Sequence, residues 1–495
     1  MLEQYRNELV AFQEALGREF FLHYSGQKTS LDLKPIYDRY ADLFTLDAIR
    51  SLRGQYEATD EFFSRQRRGI RLLTAFAEKH FVERQAQDLT EQIAAFEAGA
   101  KLQIGSEEIP FHRAVDILAK ESDAQRRRVV TKQRLRLINE SNDLRQERLF
   151  KLHESSRRLG YETYWAMVSA WRGNKLSVTA DQFAEFLQQT ESLYIGHLEQ
   201  TLRQTVGITP AQADRADVAY FLQLNQFADV FPDDGVLPVY RETLRDLGIW
   251  EHRQQSVEID DVRRPGKHPR SFCIPIKVPE EIKLSISRRG GPSDYHTMLH
   301  EGGHAQQYAW TAATLQAEFK VAGDPAVSEG YAFLFQSLML EPMWLEEMMH
   351  FTKSAAFIQL GWLHKLFYLR RDSAKVGYEQ VLHTTGDLTE ASRQYAQRLT
   401  EATGFAFVAE EFLFDTDDYV YAANYLRAWL FEVQLREYLK TRFGKRWWRS
   451  AKAADFLIEL WNAGQEYEAQ ELAFQAGLGP FSLDHLIIEF NDALK

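Results

Sequence analysis

The chain carries the stretch Tyr295-His296-Thr297-Met298-Leu299-His300-Glu301-Gly302-Gly303-His304-Ala305-Gln306. Inside it, His300-Glu301-Gly302-Gly303-His304 has the spacing H-E-x-x-H. On a helix, positions i and i+4 share one face, so the two imidazoles can close on a single metal ion. Glu301, one step around the helix, can reach a water on that ion and is the candidate general base. The bland alternative is a helix with two exposed histidines. Leu299, Ala305 and Tyr308 argue against it, because they predict a partly buried segment in which polar groups need partners.

A third ligand is offered by Ala326-Val327-Ser328-Glu329-Gly330-Tyr331-Ala332-Phe333-Leu334-Phe335, where Glu329 lies 25 residues past His304. Gly323-Asp324-Pro325 reads as a loop and the apolar run after it as a buried helix. A carboxylate at such a position is costly to bury unless it is paired or metal-bound. The alternative is an exposed carboxylate favoured by the helix dipole. Two histidines and a carboxylate leave zinc an open position, the catalytic arrangement, and one zinc per chain is the expectation. The same donors also suit other divalent ions. Glu318, expected in the tail of the first helix, and Asp324, in the loop, rank below Glu329 as rival ligands. His296, one turn before His300, reads as a helix-start histidine more readily than as a spare ligand.

The whole chain sets limits on function. Its 495 residues suffice for a large core or two lobes, and 45% hydrophobic with 26% charged residues is ordinary for a soluble protein. A net charge of −12 disfavours nucleic acid as a partner, since phosphate binding wants a basic face. The single cysteine, Cys273, excludes an intrachain disulfide and suits a reducing cytoplasm. The first residues lack a basic region followed by an apolar one, and no apolar run approaches the ~18 residues of a membrane span. The expectation is a cytoplasmic chain with no membrane partner, its oligomeric state open.

Outward from the motif, the pattern is helical. Residues 1 to about 100 are rich in helix formers, with a break near 100–111 marked by Gly105 and Pro110. A helix is predicted from Phe111 to Arg158, stopping at Gly160, then others near Tyr161 and from Thr179. After Glu329, helices are predicted at about 327–341, 344–373, 374–383 and 388–402, with 430–495 helical again apart from a turn at Gly477-Leu478-Gly479-Pro480. The texture changes only at about 255–290. Val257-Glu258-Ile259 alternates, and Ser271–Val278 and Glu281–Ser287 read as two strands joined by Pro279-Glu280. Pro275 makes the first an edge strand. An edge beside a metal can bind an extended peptide through its backbone, although a purely structural hairpin is the even alternative. Gly290-Gly291-Pro292-Ser293 then opens the motif helix, with Ser293 as the candidate N-cap. Gly302 and Gly303 each cost about 1 kcal/mol against alanine there, which implies that something must approach the helix closely. In Phe412-Leu413-Phe414-Asp415-Thr416-Asp417-Asp418-Tyr419-Val420-Tyr421-Ala422-Ala423-Asn424-Tyr425, the acidic cluster is expected to begin a helix. Tyr421 and Tyr425 share its face, either as an aromatic core stripe or as phenols that donate to a developing oxyanion.

Taken together, Arg270-Ser271-Phe272-Cys273 with its hairpin, Leu299-His300-Glu301-Gly302-Gly303-His304-Ala305, and Glu329 resemble the thimet oligopeptidase / oligoendopeptidase F family of zinc metallopeptidases. Arg158-Leu159-Gly160-Tyr161-Glu162-Thr163-Tyr164 and Tyr419-Val420-Tyr421 are weaker echoes. The firm match covers about 265–335 and the looser one 145–435. The resemblance implies a mainly α, two-lobed prolate molecule with a deep central channel and a small β-hairpin or sheet beside the zinc helix. It implies an N-terminal helical lobe at 1–160 and a catalytic region at 161–495, joined as one unit. His300, His304 and Glu329 match the metal ligands, Glu301 the general base, and Tyr421 and Tyr425 the oxyanion-assisting tyrosines. Short peptides would be the substrates, cut internally by a zinc-activated water. Two departures stand out. Gly302 replaces a usually bulky residue, and no histidine precedes the tyrosines within 405–420, the nearest being His383. The alternative they motivate is a peptide-binding protein of the same fold without turnover. A zinc hydrolase of non-peptide amides ranks third.

Overall fold

The computed structural model describes residues 2–173, 175–250 and 254–495. Helices dominate, and one apolar cluster runs through them from Leu9 to Leu494. The long N-terminal helices are α1 (Leu2–Tyr24), α2 (Ser64–Gly99) and α3 (Ala124–Arg158). α2 and α3 pack along each other. α3 stops where the sequence says it should, with Gly160 at φ +90° just beyond it. Its start differs. The helix predicted from Phe111 is broken at Glu121–Asp123, and Asp123 caps α3 by accepting from the Gln125 N–H. The next long helix, Leu176–Thr201, begins three residues ahead of Thr179.

The break predicted near 100–111 is a small antiparallel hairpin, β1 (Lys101–Ile104) and β2 (Glu107–Pro110), turning at Gly105 with φ +62°. Leu102 and Ile109 face inward from it and seed a second, smaller core with Phe111, Val130 and Ile138. Four-residue strands are too short for an alternation to register in the sequence.

The predicted β region forms a three-stranded sheet of β3 (Val257–Asp260), β4 (Phe272–Lys277) and β5 (Glu281–Ser285) in the order β3-β5-β4. β3 pairs with β5 in parallel and β4 pairs with β5 antiparallel, the register shifting between Pro275 and Lys277. β4 is an edge strand, as Pro275 requires. α1 lies across it, with Gly17 against Ile274 and Ile276.

The sheet leads into α4 (Pro292–Trp310), the helix of the motif. Ser293 is not its cap. The helix begins two residues earlier than that cap implies, with Gly291 at the N-cap and Pro292 in the first turn. The Asp294 carboxylate folds back to accept from the N–H groups of Arg289 and Gly290. α5 (Pro325–Gln336) packs against α4, and α8 (Ala422–Phe443) packs against α5. Between them in sequence, α6 (Ala355–Thr385) is a single helix where two were expected, since nothing from Ser373 to Val376 can stop it. α7 (Leu388–Thr403) falls where predicted.

The acidic cluster does not begin a long helix. Asp415 pairs with Arg371, Asp417 with Lys375 and Asp418 with Arg148, and α8 starts only at Ala422. The chain there makes a tight turn with Tyr419 at φ +60° and Val420 at φ +53°, a conformation that non-glycine residues rarely adopt. No helix of the described residues is long and apolar enough to cross a membrane.

Candidate metal centre and active site

Helical spacing and helix packing bring the predicted ligands together. His300 and His304 stand one turn apart on α4, and α5 presents Glu329 to both. Its Oε2 lies 3.5 Å from His300 Nε2 and 3.5 Å from His304 Nε2. The three donor atoms lie within 4.8 Å of one another, the one such group among the described residues. Each imidazole is oriented from behind. His300 Nδ1 faces Gln336 Oε1 at 2.9 Å and His304 Nδ1 faces Ser328 Oγ at 2.7 Å, which leaves both Nε2 atoms aimed at Glu329. Glu329 Oε2 is buried and accepts no hydrogen bond from the described residues. Its Oε1 accepts from the Tyr421 hydroxyl at 2.8 Å. Burial alone would raise the Glu329 carboxyl, but the adjacent His304 and His300 outweigh it and hold the group well below the usual carboxylate range.

This arrangement fits a divalent ion. Ligand bonds of about 2.1 Å in a tetrahedron give ligand–ligand edges of about 3.4 Å, close to the 3.5 Å from Glu329 Oε2 to each imidazole nitrogen. The rival carboxylates are occupied elsewhere. Glu318 lies in a separate short helix, Ala317–Val321, where it is buried against Arg6 at 2.7 Å, so it is not in the tail of α4. Asp324 caps α5 and holds Arg427 with two contacts, 2.9 and 2.6 Å. His296 stays exposed one turn before His300.

Glu301 stands on the same helix next to β4, where the backbone N–H of Cys273 favours its ionised form. Burial and the negative charge of Glu329 push it up to about 7, against the opposing pull of His300. The Cys273 thiol is driven well above its ordinary value by burial and by Glu301, so it is no nucleophile.

The two tyrosines have different surroundings. They lie 5.1 Å apart between ring centres, but Tyr421 is bonded to Glu329, whereas the Tyr425 hydroxyl has no hydrogen-bond partner among the described residues. Burial and the charge of Glu329 raise both phenols well above their ordinary value, so both keep their protons. The turn before them is held from several sides. The Tyr164 hydroxyl accepts from Tyr419 N–H at 3.1 Å, Glu379 accepts from Asp417 N–H at 2.7 Å, and Arg172 donates to Tyr419 O at 2.7 Å. His383 lies behind this turn. It pairs with His153 at 2.9 Å, and its ring packs against Tyr164.

Ser328 and Gln336 were missed at the level of sequence. Gln336 follows Glu329 by two helical turns and shares its face, a signal that the 3.6 periodicity could have supplied. Ser328 carries no such signal. The paired glycines have a clear role, in that a Cβ on Gly303 would stand 2.7 Å from Ala332 Cα and 2.8 Å from Tyr331 O of α5, while one on Gly302 would strike the Tyr240 ring.

No family model matches the chain, and no curated protein matches it. Solved structures do. A Bacillus anthracis strain Ames chain assigned as oligoendopeptidase F superposes with a TM-score of 0.65 at 14% identity, covering 96% of this chain and 84% of that one. PZ peptidase A, solved with an inhibitor, gives 0.68 at 13% identity, covering 96% and 85%. A further chain assigned as oligoendopeptidase F also gives 0.68 at 13% identity, with the same coverage. The chain therefore has the fold of oligoendopeptidase F and PZ peptidase A.

Proposed function

We propose that this protein is a zinc-dependent oligopeptidase that hydrolyses internal bonds of short peptides. The observation that carries the reading is the buried, unbonded Glu329 Oε2 facing two imidazole nitrogens at 3.5 Å, with Glu301 beside them. The shared fold with structures described as peptidases supports it. His300, His304 and Glu329 would hold the ion. An ion held there would supply Lewis acidity and the means to activate a water at neutral pH.

The remaining work falls to the protein's own groups. β4 offers its free edge to an extended peptide, as in strand addition. Glu301, beside the ligands on the same helix, is the group to take a proton from the attacking water and return it to the leaving amine. Tyr425, protonated and unbonded, can donate to the oxygen on which charge develops. Tyr421 is better placed to fix Glu329 than to serve the oxyanion. This divides roles that the sequence left equal.

The test is Glu301→Gln. The variant keeps one zinc per chain, measured by metal analysis, and loses peptide cleavage. Near-normal cleavage by it would refute the mechanism. Zinc at one per chain with no cleavage of any peptide by the unaltered protein would favour the peptide-binding alternative.

A further inference from the structure

Next to Glu329 and His304 lies a cavity of about 370 Å³ that is lined in part by α2. Its volume is that of a small-molecule site. Four cations line it, Arg71, Lys79, Arg172 and Arg427, with two carboxylates other than Glu329, Asp324 and Glu468. Asp324 is committed to Arg427. Glu468 is shared between Arg71 at 3.1 Å and Lys175 at 3.0 Å. Arg172 has no carboxylate partner among the described residues. It donates to two backbone carbonyls, Tyr419 O at 2.7 Å and Val420 O at 3.4 Å, which satisfy geometry but not charge. Burial and the nearby Arg427 bring Arg172 down to about 10, a sign of positive charge held at a cost. Among the described residues the Lys79 ammonium meets one carboxylate, Glu83, at 3.8 Å, outside hydrogen-bond range, and it lies 5.5 Å from the centre of the Tyr419 ring.

In a chain of net charge −12, the four cations of this cavity outnumber its three carboxylates, Glu329 included, and it adjoins the metal ligands. Such an excess in a half-enclosed space selects for an anion. We propose that this cavity is a specificity subsite that binds a carboxylate of the peptide, with Arg172 and Lys79 as its cationic partners. The inference rests on the peptidase reading for its substrate class. Two sources share this chemistry, the free C-terminus of the peptide and the side chain of an internal Glu or Asp.

The experiment is calorimetric binding of N-acetylated nonapeptides to the zinc-loaded Glu301→Gln protein, alongside cleavage by the unaltered protein. One arm compares a C-terminal carboxylate with a C-terminal amide. The other compares Glu with Gln, moved along the interior. A charge-assisted contact of this kind corresponds to roughly ten- to hundredfold in affinity. One arm is expected to show that preference, and the arm that does so identifies the source. The preference shrinks as salt is raised and collapses toward unity in Lys79→Met and in Arg172→Gln. Because Arg172 props the Tyr419 turn and Lys79 lies against the Tyr419 ring, Lys79→Arg, which keeps the charge at this partly exposed position, is the control and is expected to retain the preference. Equal affinity for acid and neutral peptides in both arms would overturn the subsite, as would a preference that both neutral variants leave intact. If the acid peptides bind preferentially but none is cut by the unaltered protein, the subsite stands and the peptidase reading falls. Cleavage without any acid preference gives the reverse.

Discussion

Gly303 sits where α4 and α5 touch, and replacing it by alanine is a quantitative test of how the site is built. The added Cβ would meet Ala332 Cα at 2.7 Å and Tyr331 O at 2.8 Å, both backbone atoms of α5. Ordinary contact begins near 3.4 Å, so the two helices must separate by about 0.7 Å. No side-chain rotation relieves a clash with backbone. His304 is the next residue on α4 and Glu329 lies two before Tyr331 on α5, so this separation acts directly on the 3.5 Å between His304 Nε2 and Glu329 Oε2. Metal sites tolerate about 0.2 Å in their distances. Overpacking costs about 1–3 kcal/mol, and alanine returns about 1 kcal/mol of helix propensity. The net change in folding stability is therefore small, and the loss appears mainly in metal affinity, by about tenfold or more. The assay is competition against a zinc chelator, with a thermal melt of the metal-free chain as the control. Gly303→Ala with unchanged zinc affinity would refute the claim that this helix contact sets the ligand geometry.

Other perturbations separate the remaining roles. Tyr421→Phe leaves Glu329 Oε1 without its donor and is expected to weaken zinc binding about 10–100-fold, read by the same competition assay. Tyr425→Phe leaves zinc affinity intact and lowers kcat by about 10²–10³, and a fall in zinc affinity instead would place Tyr425 with the ligands. Arg427→Met strands the buried Asp324 carboxylate at the start of α5 and is expected to cost about 3–5 kcal/mol, seen as a lower denaturation midpoint. Stability should fall in mild acid through the buried histidines. His153 is lowered to about 4 by burial and the charge of Arg157, and His383 is lowered well below its ordinary value by burial and by His153. Their contribution is present above about pH 6.5, the unfolded value, and is lost as pH falls toward about 4, because the unfolded chain then binds more protons. His383→Leu should flatten that acid limb in pH-dependent unfolding, and an unchanged limb would exclude the pair as its source.

Much of the candidate site was legible because its signals are local or periodic. His300 and His304 share a face by helical geometry, and Glu329 declares itself as a carboxylate in an otherwise apolar helix. Pro275 places β4 at a sheet edge without reference to any other strand. What was not legible depends on partners distant in sequence. The acidic run at Asp415–Asp418 reads as a helix start until Arg371, Lys375 and Arg148 are seen to claim each carboxylate in turn. The division between Tyr421 and Tyr425 follows from where α8 lies against α5, which their common spacing cannot convey. Glu318 looked available as a ligand because its partner, Arg6, lies more than three hundred positions earlier. The hairpin β1–β2 announced its turn through Gly105 and Pro110 but not its strands, which pair over only four residues.

The central claim is peptide hydrolysis at the His300–His304–Glu329 centre. Its most direct test is mass spectrometry of a pool of unmodified short peptides incubated with the zinc-loaded protein, with parallel samples treated with chelator and with Glu301→Gln. The account predicts new fragments from internal cleavage that disappear in both controls. An intact pool in the presence of one bound zinc per chain, or fragments that persist in Glu301→Gln, would contradict it.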